Sequence, residues 1–130
     1  MREIKFRAIS YFGDWVYGLI SKGSFSFDQD KQLWLMQEWG VGMTPIEFET
    51  IGQYTGLKDK NSKEIYEGDV LSWVQFNMNM TCMWDVNRTR ITLKSPNGVD
   101  DIGLTIFNQN EFEVIGNIHE NPELLEASNG

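Results

Sequence analysis

A chain of 130 residues fits one domain and is long enough to bury a core without disulfides or metal. Hydrophobic residues at 41% and aromatics at 13% exclude intrinsic disorder, which goes with few aromatics. A net charge of −8 works against non-specific nucleic-acid binding, which draws on Lys and Arg at phosphates, and favours basic partners.

Taken in order, residues 2–9 predict a strand, with Ile4, Phe6 and Ala8 on one face and Glu3, Lys5 and Arg7 on the other. Phe12-Gly13-Asp14 reads as a turn and residues 15–20 as the returning strand of an N-terminal hairpin. Residues 24–27 alternate again, and 28–31 are polar turn material. For residues 32–39 we prefer a strand, because it gives residues 24–27 a hairpin partner. A short helix capped by Asp28 and stopped at Gly40 fits the same apolar residues.

Residues 40–45 read as a loop. Residues 50–57 and 64–76 are extended runs joined by a charged turn at 58–63, where Asn61 is the residue best able to adopt positive φ. Gly68-Asp69 punctuates the second run before a strong strand at 70–74. Strands at 89–93 and 102–107 flank the turn Ser95-Pro96-Asn97-Gly98, and 112–118 closes the sheet. Asn121, Pro122 and Glu123 begin a short C-terminal helical turn that seats Leu124 and Leu125 on the sheet, with residues 126–130 fraying. The expected fold is mostly β: a small antiparallel barrel or sandwich-like domain over residues 1–130.

The lone Cys82 excludes an intramolecular disulfide, and its apolar neighbours Met80, Met83 and Trp84 predict a buried thiol. The N-terminus alternates charge and lacks the apolar core of a signal peptide, and no run reaches about 18 apolar residues. A cytoplasmic protein without membrane contact is the expectation.

Catalytic groups are sparse. His119 is the only histidine, on a turn beside Asn117 and Glu120, and no Gly-x-Ser-x-Gly elbow is present. One His and one Cys do not make the usual zinc site. Asp28-x-Asp30 starts like a calcium loop, but Leu33 and Trp39 stand where its glycine and glutamate belong. Glu47 with Glu49, and Glu111 with Glu113, read as solvated carboxylates on strand faces. Phosphate-cradling glycine motifs are absent. We therefore expect no catalytic residue, metal or cofactor, and an enzyme is the least favoured class.

Two surfaces could bind. In a strand, Arg88, Arg90, Thr92 and Lys94 share a face that matches a phosphate track, with Trp73 or Trp84 near enough to stack bases. The plainer reading is an edge strand blunted by charge. The five Trp should mostly fill the core, and a surplus on the surface would mark a protein contact, most simply a homo-oligomer.

Three stretches resemble the YopX family of phages and prophages of Gram-positive bacteria: residues 1–8 (MREIKFRA), 52–70 (GQYTGLKDKNSKEIYEGDV) and 112–125 (FEVIGNIHENPELL). The resemblance implies a phage or prophage origin, a mostly β fold, a cytoplasmic setting in the host, and no assigned reaction. Ser62 stands where the family pattern has Gly, and His119 replaces a more usual Tyr. The motif hairpin contains Gln53, Tyr54, Thr55, Gly56, Lys58, Asp59, Glu64, Tyr66, Gly68 and Asp69. Its glycines suit turns or bulges, so a scaffold is preferred over a recognition loop. The leading expectation is a self-associating protein-interaction or assembly module. Nucleic-acid binding through Arg88, Arg90 and Lys94 is the alternative, and an acidic decoy for a basic host protein is a third.

Overall fold

A computed structural model describes residues 3–24, 32–38, 40–96 and 101–126. The chain forms two compact units, Met1–Tyr54 and Thr55–Gly130.

In the first unit, β1 (Phe6–Ile9), β2 (Trp15–Ser24), β3 (Gln32–Glu38), β4 (Gly42–Ile46) and the start of β5 (Gly52–Lys58) pair antiparallel in the order β4-β3-β2-β1-β5. The expected N-terminal hairpin is present, with Ile9 opposite Trp15 and Gly13 turning at φ 95°. Residues 32–38 are the preferred strand, and their hairpin partner is the long β2, from Leu19 opposite Gln37 to Ser24 opposite Gln32. The rest of the 24–27 strand, the 28–31 turn with Asp28-x-Asp30, and Trp39 lie outside the described residues.

The expected loop at 40–45 is corrected: β4 occupies most of it, with Pro45 opposite Leu35. β4 ends the strand order, where a proline's missing N–H leaves no ladder bond unmade. Ala8, Val16, Met36 and Ile46 form this unit's core, joined by Phe6, Ile20, Trp34 and Ile51. Alternation also misplaced Arg7, expected in water. It is buried, its guanidinium lying 4.6 Å from the Trp15 ring centre, so both stem and cation are covered.

The second unit holds the rest of β5 with its neighbour β6 (Glu64–Tyr66). Its five-stranded antiparallel sheet comprises β7 (Asp69–Trp73), β8 (Met78–Asp85), β9 (Arg90–Lys94), β10 (Asp101–Gly103) and β11 (Phe112–Asn117) in the order β10-β9-β8-β7-β11. Leu57 of β5 and Ile65 of β6 pack on Leu71, Met80, Cys82, Leu93 and Phe112 of that sheet. Two layers share one core, so the mostly β, sandwich-like expectation holds, and the sheet is open at β10 and β11 rather than closed as a barrel. Fully burying Leu71, Leu93 and Phe112 contributes about 1.5–3 kcal/mol each.

Several boundaries differ from expectation. β8 was not anticipated, because its Met- and Asn-containing sequence lacks a β-branched run. The strand at 102–107 stops at Gly103, and Ile106 and Phe107 lie in a turn. Asn97 and Gly98 of the expected turn, and residues 127–130, lie outside the described residues. A bulge between Val114 and Gly116 interrupts β11. The single turn α1 (Glu123–Glu126) is tied to β8 by Asn79, whose Nδ2 donates to the Leu124 carbonyl at 2.9 Å. Trp15, Trp34 and Trp73 are only partly buried and Trp84 is exposed, so aliphatic residues, Met and Phe112 make up the fully buried core instead.

Candidate functional site

The polar groups of the motif hairpin bond to its own backbone and to the segments beside it. Gln53 lies opposite Phe6, and the Tyr54 amide donates to the Lys5 carbonyl at 2.8 Å. In the second unit, buried Thr55 donates its hydroxyl to the Ile65 carbonyl at 2.7 Å. Asp59 is 3% exposed. Its Oδ1 accepts from the amides of Asn61 at 2.8 Å and Lys63 at 2.9 Å, and its Oδ2 accepts from the Val114 amide at 2.9 Å. Asp69 Oδ2 accepts from the Tyr66 amide at 2.8 Å, and Glu64 Oε1 from the Tyr66 hydroxyl at 3.2 Å.

Gly56 and Gly68 take φ of 85° and 93°. The Lys58 amide donates to Gln109 Oε1 at 3.0 Å. At the tip, Ser62 and not Asn61 adopts positive φ, 66°. Ser62 therefore carries the positive φ expected of Asn61. Asn117 likewise accepts the amides of His119 and Glu120 on its Oδ1, leaving the His119 side chain on an exposed turn.

The basic residues are not in line. Arg90 and Lys94 are on β9, but Arg88 sits in the turn before it, and Thr89 there has φ 49°. Nor is β9 an edge, since it lies between β8 and β10. Arg88 donates to Asp101 and to Asp85, and Arg90 donates to Asp101 at 3.3 Å and to the Thr92 hydroxyl at 3.3 Å. The Arg90 side chain crosses buried Thr92 and lies on Gly103, where an added Cβ would meet Arg90 Nη1 at 3.2 Å.

Two cations and two carboxylates thus balance. The hydrogen bond and charge of Asp101 raise the Arg88 pKa. Desolvation pushes the Asp101 carboxyl up, but hydrogen bonding and charge from Arg88, with Arg90 behind it, outweigh that and hold it below its ordinary value.

The remaining candidates scatter. Cys82 is buried in the core of the second unit. Glu47 and Glu49 stand at a single 3-10 turn rather than on a strand, Glu111 accepts from Trp73 Nε1 at 3.3 Å, and Glu113 meets Lys60 at 3.8 Å.

What sequence reading missed is a fixed apolar loop. Ile106 and Phe107 are 64% and 91% exposed, yet the turn bearing them is tightly bonded. The Thr105 amide donates to Asn108 Oδ1 at 2.8 Å, the Phe107 amide to Thr105 Oγ1 at 3.1 Å, and Asn108 Nδ2 to the Gly103 carbonyl at 2.9 Å. A Thr-x-x-Asn spacing is the signal that would have marked it. Clefts are also present among the described residues. One of about 390 Å³ in the first unit is lined by Leu19, Gln37, Glu38, Val41 and Met43. Another of about 400 Å³ in the second is lined by Trp73, Phe76, Met78, Met80, Asp101 and Ile102. Among the described residues no helix is long and apolar enough to cross a membrane.

Residues 5–126 match the YopX protein family, and the chain is a member of it. The fold is similar to that in the crystal structure of protein EF1440 from Enterococcus faecalis, at 25% identity and a TM-score of 0.58, over 96% of this chain and 99% of that one. No curated protein matches the chain.

Proposed function

We propose that this chain is a non-catalytic protein-interaction and assembly module that self-associates, is phage- or prophage-encoded, and works in the host cytoplasm. The observation that carries the reading is the exposure of Ile106 and Phe107 on a hydrogen-bonded turn. Holding two large apolar side chains in water is unfavourable, and fixing their backbone beforehand lowers the entropy lost on contact. Large aromatics on rigid supports are the usual anchors of protein interfaces. The phage setting rests on the three family-like stretches, and treating the chain as one working domain rests on a family match that runs through both units.

Binding of nucleic acid by Arg88, Arg90 and Lys94 has less support, because Asp85 and Asp101 already neutralise both arginines. Size-exclusion chromatography with light scattering tests the proposal. The wild type should run above its 15.1 kDa monomer mass, and Phe107→Ser should lower that mass. A wild type that stays monomeric at high micromolar concentration would overturn it.

A further inference from the structure

β10 ends the strand order of the second unit's sheet. In an antiparallel ladder, successive residues turn their N–H and C=O groups alternately toward and away from the neighbouring strand. The Leu104 amide donates to the Ile91 carbonyl at 3.0 Å, just before β9 leaves the turn, so Gly103 and Thr105 on either side of Leu104 face away. Three of their outward groups are filled by residues 108 and 109. The Gly103 carbonyl accepts from Asn108 Nδ2 at 2.9 Å, and the Thr105 amide donates to Asn108 Oδ1 at 2.8 Å. The Thr105 carbonyl accepts the amides of Asn108 at 3.3 Å and Gln109 at 3.0 Å. We infer that Asn108 is a latch that shuts this edge against a second copy of the chain. When it lets go, residues 104–107 straighten onto β10, and the lengthened edge pairs antiparallel with the same edge of another copy.

What the latch restrains is strand-forming material. Residues 102–107, Ile-Gly-Leu-Thr-Ile-Phe, contain no charge and no proline, the composition of segments that pair edge to edge. Ile102, Leu104 and Ile106 alternate as a strand requires, yet β10 ends at Gly103. Opening is local. Leu104 is buried in the core and serves as the pivot, whereas Thr105, Ile106 and Phe107 are exposed, so straightening them uncovers nothing already packed.

A second copy is the occupant because an edge presented twice is its own complement, and such an isologous contact closes at a pair. Charge permits it. Asp101, the one acid on β10, is held by Arg88 and Arg90, and repulsion between copies of net charge −8 is screened by salt. Asparagine suits the task because its amide offers an acceptor and a donor together, one for Thr105 and one for Gly103. The inference goes beyond the self-association proposed above. It concerns the backbone edge, not the Ile106 and Phe107 side chains, and holds whether or not the wild type associates.

The test is size-exclusion chromatography with light scattering at physiological salt, with near-UV circular dichroism to show that each variant is folded. Asn108→Ala, which loses both side-chain bonds, should run at twice the mass of the wild type or more. Asn108→Asp keeps the acceptor for the Thr105 amide and loses the donor to Gly103, so a smaller fraction should pair; it carries the test should Asn108→Ala misfold. Adding Thr105→Pro should restore the wild-type mass, since proline has no amide to donate and its ring obstructs an incoming strand. A folded Asn108→Ala of wild-type mass would overturn the latch, as would a heavier species that survives Thr105→Pro. A monomeric wild type whose Asn108→Ala variant pairs would support the latch and remove the self-association proposed above.

Discussion

Asp59 and Val114 are 55 positions apart, yet the carboxylate of one accepts the amide of the other at 2.9 Å. Together with the Lys60 amide, which donates to the Phe112 carbonyl at 3.0 Å, this bond occupies two successive outward groups of β11. A side chain and a turn thus stand in for a neighbouring strand. Because Asp59 is buried and accepts three amides, Asp59→Ala leaves those donors unmatched. It should cost about 2–3 kcal/mol in urea unfolding. Asp59→Asn, keeping one acceptor oxygen, should cost less. Equal losses in the two variants would argue against the acceptor role.

The hairpin tip makes a separate prediction. Ser62 holds φ 66°, a conformation that disfavours a Cβ, so Ser62→Gly should stabilise the protein by about 0.5–1 kcal/mol. Asn61→Gly should not, since Asn61 is not among the positive-φ residues. A gain at Asn61 and none at Ser62 would show that the turn is placed one residue off.

Gly18 tests the packing of β2 on β3. An added Cβ would sit 2.0 Å from the Gln37 carbonyl oxygen, which is backbone and has little room to move. Gly18→Ala should therefore destabilise by about 3 kcal/mol or more. It should also disturb the Leu19–Gln37 pair that lines the cleft. Retention of full stability would mean the two strands are farther apart than described.

Acid should weaken the Arg88–Asp101–Arg90 network in one direction. Asp101 has a folded pKa below its ordinary 3.8, so its contribution is fully present above that value. The contribution is lost as pH falls through the lowered one. The difference in urea midpoint between wild type and Asp101→Asn should be visible at pH 7 and shrink as pH falls below 3.8. A gap unchanged down to the acid limb would assign the effect to packing rather than charge.

The N-terminal hairpin was legible because Ile4, Phe6 and Ala8 alternate with Glu3, Lys5 and Arg7 before a glycine turn, and the strand at 70–74 and β11 because β-branched and aromatic residues crowd between turn residues. β4 was hidden by Gly42 and Pro45, which argue against a strand unless its place at the end of the sheet is known. Arg7 looked solvent-facing because period-2 counting is blind to a ring of Trp15 covering the outer face. The partner of Arg88 and Arg90 lies 13 and 11 residues away at Asp101, out of reach of any local pattern. For the candidate site, Ile102, Leu104 and Ile106 alternate so well that they read as one strand. Side-chain bonds of Thr105 and Asn108, with backbone turn bonds to the Thr105 carbonyl, end it and leave Phe107 exposed.

The Asp59 turn has a consequence for synthesis. Translation makes the guard about fifty residues before the strand it shields, and both belong to the one unit Thr55–Gly130, which folds as a whole. Once that unit is folded, one margin of residues 112–117 is paired with β7 and the other is met by the Asp59 turn. Nascent neighbours on the same message then find no ragged margin to copy.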